Sequence, residues 1–85
     1  MAISAFNDRA PDTPHVTEYD DRLHHTYWRL LVAAAENADW REVVRILFGL
    51  DPAAEPERAR LVYDSHLARA QWMTEIGYRH YLRSS

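Results

Sequence analysis

Asp39-Trp40-Arg41-Glu42-Val43-Val44-Arg45-Ile46-Leu47-Phe48-Gly49-Leu50-Asp51-Pro52, followed by Ala53-Ala54-Glu55-Pro56-Glu57-Arg58-Ala59, is the stretch that decides the fold. Asp39 and Glu42 stand at the spacing of an acidic capping box, in which Asp39 covers the first free N–H groups of a helix. Trp40, Val43, Val44 and Leu47 then share one apolar face, and Arg41, Glu42 and Arg45 fall on the water side. Gly49 suits the left-handed position past a helix end, which only glycine adopts cheaply. Pro52 keeps Asp51 out of helical geometry, and Pro56 suits the first position of a new helix, where its missing N–H is not needed. The pattern is a short helix, a long turn from Gly49 to Glu55 and a second helix. An ordinary helix-turn-helix has a turn of roughly three or four residues, so this is an extended-turn variant.

Working outward, Thr17-Glu18-Tyr19-Asp20 has the form of a helix start, with the Thr17 hydroxyl as cap and acids at the positive end of the dipole. Tyr19, Leu23, Tyr27, Leu30, Leu31 and Ala34 recur three and four apart, which predicts one helix ending near Asn37. Its second half is apolar nearly all round, leaving Trp28 and Val32 beside the main stripe. From Pro56, the residues Ala59, Val62, Tyr63, His66, Leu67, Ala70 and Met73 form an inward stripe. A second row, Leu61, Ser65, Ala68, Trp72 and Ile76, lies almost opposite. Gly77 is the expected helix end, with Tyr78 to Leu82 forming one more turn that folds back. Met1 to Val16 has no helical period and is interrupted by Pro11 and Pro14, so it reads as a flexible tail in which Ile3 and Phe6 either staple onto the body or stay loose. The expected fold is all-α: a small helical bundle over residues 17–82, with tails at 1–16 and 83–85.

Composition narrows the function. A chain of 85 residues with 47% hydrophobic content suits one globular domain with a modest core. It has no cysteine, which excludes disulfides and thiolate chemistry. No apolar run approaches the roughly 18 residues of a membrane span. Met1 to Arg9 lacks the basic and apolar regions of a signal peptide. A cytoplasmic protein is the expectation. All ten basic residues are Arg, and the formal charge is −3.

Catalytic and metal chemistry find little support. His24 and His25 are neighbours about 100° apart on a helix and do not chelate one ion easily, and His66 has no His or Asp at helical spacing on its face. Ser65 beside His66 is adjacency rather than a triad, because the base must reach the nucleophile across space. With only Gly49 and Gly77, the chain has no phosphate-binding glycine loop. The expectation is therefore no enzyme, no metal, no cofactor and no small-molecule ligand.

Binding surfaces remain, of two kinds. Arg41, Arg45, Arg58, Arg60 and Arg69 are the residues that would touch phosphates if the helix from Pro56 read DNA. Yet Thr17 to Ile76 holds eleven Asp or Glu against seven Arg, and Asp51, Glu55, Glu57 and Asp64 share the neighbourhood of those arginines. Phosphate binding needs local positive charge, so the plain reading of this set is a mixed, solvated face. Trp28, Val32, Leu61 and Trp72 are the candidates for a protein partner, because exposed aromatic anchors carry much of the energy of an interface. The alternative is that Tyr78, Tyr81 and Leu82 fold over Leu61 and Trp72 to complete the core.

The run from Ala38 to Val44, together with Gly49-Leu50-Asp51-Pro52, Pro56 to Arg60, Asp64 to Ala70 and Trp72-Met73-Thr74-Glu75, resembles the extended-turn helix-turn-helix family of conjugative-element regulators that includes the RovC and FseA transcription factors. The resemblance spans about Thr17 to Leu82 and includes the long turn and the His-x5-Trp-Met spacing. In the family's activators this domain is basic and follows a separate N-terminal domain. This chain has no room for that domain and is acidic, as the family's stand-alone antiactivators are. The resemblance therefore implies an antiactivator that occupies the N-terminal domain of a transcriptional activator. DNA binding and a regulator's role at a promoter are the alternative it implies.

Overall fold

The structure, a computed structural model, describes residues 5–77. Within them it is all-helical, as expected: α1 (Glu18–Arg22), α2 (His24–Ala35), α3 (Trp40–Phe48) and α4 (Pro56–Trp72), the last continued by one π-helical turn, Met73–Gly77. The helices pack as a small bundle, with α4 against both α2 and α3. The extra turn expected over Tyr78 to Leu82 lies outside the described residues.

Local chemistry explains most of the boundaries. Thr17 caps α1 through a full capping box, its hydroxyl taking the Asp20 N–H while the Asp20 carboxylate takes the Thr17 N–H. The single long helix expected from Thr17 is divided at Leu23, whose φ of −100° and ψ of 10° leave helical geometry. The cause is beside it. The His24 ring Nδ1 bonds to the Asp21 carbonyl at 2.7 Å, a carbonyl that an unbroken helix would give to the N–H four residues on. Asn37, at φ 58°, closes α2 in the left-handed region, where Asn is among the few tolerated side chains.

Asp39 caps α3 by accepting the Arg41 N–H at 3.0 Å. Gly49 closes that helix at φ 68° and ψ 21°, and its N–H and that of Leu50 return to the carbonyls of Arg45 and Val44. The seven residues from Gly49 to Glu55 then connect α3 and α4. Asp51 organises this turn, because its carboxylate accepts from the Ala53 N–H and its carbonyl from those of Ala54 and Glu55.

The core joins Leu23, Tyr27 and Leu30 to Val43, Val44, Phe48 and Leu50, and closes on Ala59, Val62, Tyr63 and Ala70. Of the inward stripe expected on α4, Ala59, Val62, Tyr63, His66 and Ala70 are buried, while Leu67 and Met73 pack half-buried at its edge. On α3, Val43, Val44 and Phe48 are buried, and Trp40 and Leu47 are half-buried.

Residues 5–16, for which the sequence predicts a flexible tail, lie against this bundle. Phe6 meets Phe48 edge-on with ring centres 5.0 Å apart, and Ala10 is buried.

Candidate functional site

The side chain that organises one flank of the molecule is Arg69. It is buried, and its guanidinium makes two bonds to the buried Asp20 carboxylate, Nε to Oδ1 at 2.9 Å and Nη2 to Oδ2 at 2.7 Å. Its remaining donors reach back to the N-terminal segment, Nη1 to the Thr13 carbonyl at 2.7 Å and Nη2 to the His15 carbonyl at 2.8 Å. Trp72 lies over the same guanidinium, 3.9 Å from the ring centre. The Tyr27 hydroxyl donates to Asp20 at 2.8 Å. Burial alone would raise the Asp20 carboxyl, but the bonds from Arg69, Thr17 and Tyr27 outweigh it and hold it below the ordinary carboxylate value.

This geometry corrects one candidate. Arg69, named for phosphate contact in the DNA-reading alternative, is withdrawn from solvent. A guanidinium already bonded to a carboxylate and two carbonyls would have to leave all of them to meet a phosphate. The other arginines named with it are exposed, and three of them have acidic partners. Arg58 bonds to Asp8 at 2.8 Å and Glu55 at 3.3 Å, Arg60 bonds to Asp64 at 3.0 Å, and Arg41 lies 3.6 Å from Asp39. Arg60 also stacks over Trp40, 4.9 Å from its ring centre. Arg45 is exposed on α3.

The partner-binding candidates divide between two flanks. Trp28 is 62% exposed and Val32 38% exposed, both on α2. Trp28 borders an open, mainly apolar groove of about 410 Å³ with Tyr27, Leu31, Ala70 and Met73. Trp72 is half-buried and borders a different hollow of about 430 Å³, between α4 and residues 9–14. No residue lines both. Leu61 is half-buried and lines neither. The four residues therefore do not form one patch; Trp28 and Val32 stand four residues apart on α2, both exposed.

Sequence reasoning passed over Ile46, which is 64% exposed, and Leu31 and Met73 as groove walls. Ile46 follows Val43 at helical spacing, and only its angle past the core-facing edge of α3 turns it outward.

The buried His66 has a structural role. Its Nδ1 donates to the Val62 carbonyl at 2.7 Å, which assigns Nε2 as acceptor for the Tyr19 hydroxyl at 2.5 Å. The Tyr19 oxygen in turn accepts the Asn7 N–H at 3.0 Å. With Nδ1 committed to a carbonyl, no lone pair on it faces the neighbouring Ser65 hydroxyl. Burial depresses the imidazole below its ordinary value, and the Val62 bond only partly offsets this. Among the described residues no three His, Asp or Glu side chains converge on a position for a metal ion.

No protein-family model matches the chain, and no curated protein does either.

Proposed function

We propose that this protein is an antiactivator: it binds the N-terminal domain of a transcriptional activator of integrative and conjugative element transfer and takes the place of the activator's own DNA-binding domain. The reading follows the resemblance to the stand-alone antiactivator QseM within the extended-turn helix-turn-helix family. The observation that carries it is the condition of α4. Its Arg58, Arg60 and Arg69 are engaged by Asp8, Glu55, Asp64 and Asp20, so the helix in the reading position offers phosphate little uncompensated positive charge. The apolar surface at Trp28 and Val32 supports a protein partner, since a desolvated aromatic anchor is the usual centre of an interface. Such a protein acts in the cytoplasm, and among the described residues no helix is long and apolar enough to cross a membrane.

The second reading, a DNA-binding transcriptional regulator, draws on α3, the long turn and α4 themselves, which follow one another as in a helix-turn-helix. Promoter DNA from the host element separates the two. At low salt the protein alone should leave its mobility unchanged, whereas the protein should co-purify with the activator's N-terminal domain. A sequence-dependent shift that weakens steeply with salt would replace the antiactivator with the DNA-binding regulator.

A further inference from the structure

Residues 8–15 lie along α4 without regular secondary structure and are held mainly by their backbone. Arg69 donates to the carbonyls of Thr13 and His15, and the Ser65 hydroxyl accepts the Ala10 N–H at 3.1 Å. Ala10 is the one side chain of this stretch that is buried. Pro11 and Pro14 border the hollow that Ala68 and Trp72 close from the helix side. Bonds to main-chain groups recognise the path of a chain more than its side chains. A segment with two prolines has φ fixed at both and loses little freedom on docking. The stretch buries only Ala10, so its seating rests on these polar bonds, and an incoming chain of the same path supplies the same acceptors and leaves no Arg69 donor unmatched. The cis stretch stays seated because its attachments at Phe6 and Thr17 keep it close, at an effective concentration on the order of millimolar.

We propose that the face of α4 formed by Ser65, Ala68, Arg69 and Trp72 is a peptide-docking site, occupied in cis by Ala10-Pro11-Asp12-Thr13-Pro14, and that its exchangeable ligand is a partner segment with the same pattern of small residue, Pro, two residues and Pro. The seated segment defines the chemistry of the occupant. It needs a small side chain where Ala10 is buried, carbonyls for the two Arg69 donors and prolines at the rim of the hollow that Trp72 also lines. The site shares no lining residue with the groove beside Trp28, and it stands whether or not the chain is an antiactivator.

The test uses the full chain carrying Ala10→Asp, which places a charge where Ala10 is buried and unseats the cis segment. A capped peptide of residues 8–16 is titrated into the isotope-labelled protein, with amide and indole shifts as readout. The peptide should bind with shifts at Ser65, Ala68 and the Trp72 indole, and a peptide with Pro11→Gly and Pro14→Gly should bind roughly tenfold more weakly. The unsubstituted chain should need far more peptide, because its own segment competes. An Ala10→Asp chain that keeps its helical circular dichroism and shows no shift would overturn the proposal. Should that variant unfold, hydrogen exchange on the unsubstituted chain decides. The Ala10 amide should exchange about a hundredfold faster than those of Val62 and His66. Equal protection would make the segment an integral part of the core and overturn the proposal.

Discussion

Arg69 and Asp20 form a buried ion pair that joins α4 to α1 through two parallel bonds, with both side chains almost fully withdrawn from water. Both oxygens of Asp20 are engaged, by Arg69, the Tyr27 hydroxyl and the Thr17 N–H. The pair therefore does more than join two helices. It holds the cap of α1, and through the second Arg69 contact set it holds the residues before that cap.

Removing one partner of such a pair leaves the other charged and buried, at a typical cost of about 3–5 kcal/mol. Arg69→Met should therefore come close to unfolding a domain of this size. Arg69→Met combined with Asp20→Asn should be more stable than Arg69→Met alone, because no buried charge is left behind. Urea unfolding followed by circular dichroism measures both. A double variant less stable than Arg69→Met would mean that the neutral amide is worse served at this site than the bare carboxylate, contrary to this account.

The pH response follows from His66. Its folded value is depressed by burial, so in the window just below 6.5 the unfolded chain binds the proton and the folded chain does not. Stability should be full above pH 6.5 and fall as pH drops from there toward the folded value. Asp20 is also depressed, here because its charged form is the one held, so its contribution is present above 3.8 and is lost as pH falls through its lower folded value. Melting temperature against pH should show these as two separate losses. In His66→Phe the first should shrink, whatever that substitution does to overall stability. An unchanged slope just below pH 6.5 in His66→Phe would assign that loss elsewhere.

Gly49 sits at φ 68°, where a Cβ is unfavourable. Gly49→Ala should cost about 1 kcal/mol and Gly49→Val more, with the lost stability visible as a lower urea midpoint at unchanged slope. Equal midpoints for Gly49→Val and the parent chain would mean that the turn finds another route from α3 to α4.

The features legible in the sequence are those written within a few residues. The Thr17 and Asp39 caps, the Gly49 closure, the Pro56 start and the stripe from Ala59 to Ala70 each follow from local geometry. The break at Leu23 does not, because it depends on the His24 ring winning a carbonyl from the backbone. In sequence Arg69 reads as a surface cation, because it stands between the two apolar rows of α4. Its partner Asp20 is 49 residues away and already explained as a capping residue. The docking of residues 5–16 is hidden for a related reason. Phe6 stapling onto the body is one of the two readings the sequence leaves open for it, but a Pro-containing stretch with no period gives no signal where its contacts run through the main chain, as at Ala10, Thr13 and His15. The division of Trp28 and Trp72 between different hollows needs the packing of α2 on α4, which no single helix pattern contains.

That division decides which tryptophan best tests the proposed partner surface. Trp72 is half-buried over the Arg69 guanidinium, so Trp72→Ala removes a stacking contact from the ion-pair cluster and should lower stability along with any binding. Trp28 projects from α2 with 62% of its surface exposed, beside the groove walled by Leu31 and Met73. Trp28→Ala should keep the helical circular dichroism and the melting temperature nearly unchanged, since a largely exposed side chain contributes little to folding. In binding to the proposed partner, an activator's N-terminal domain, it should cost about 2 kcal/mol or more, roughly thirtyfold in affinity, if Trp28 is the anchor of the interface. Val32→Ala, on the same flank, should cost less and in the same direction. Isothermal titration of the folded variants checks each value. A Trp28→Ala protein that binds as tightly as its parent would remove the α2 flank from the interface and leave Ile46 on α3 as the next exposed apolar group to substitute.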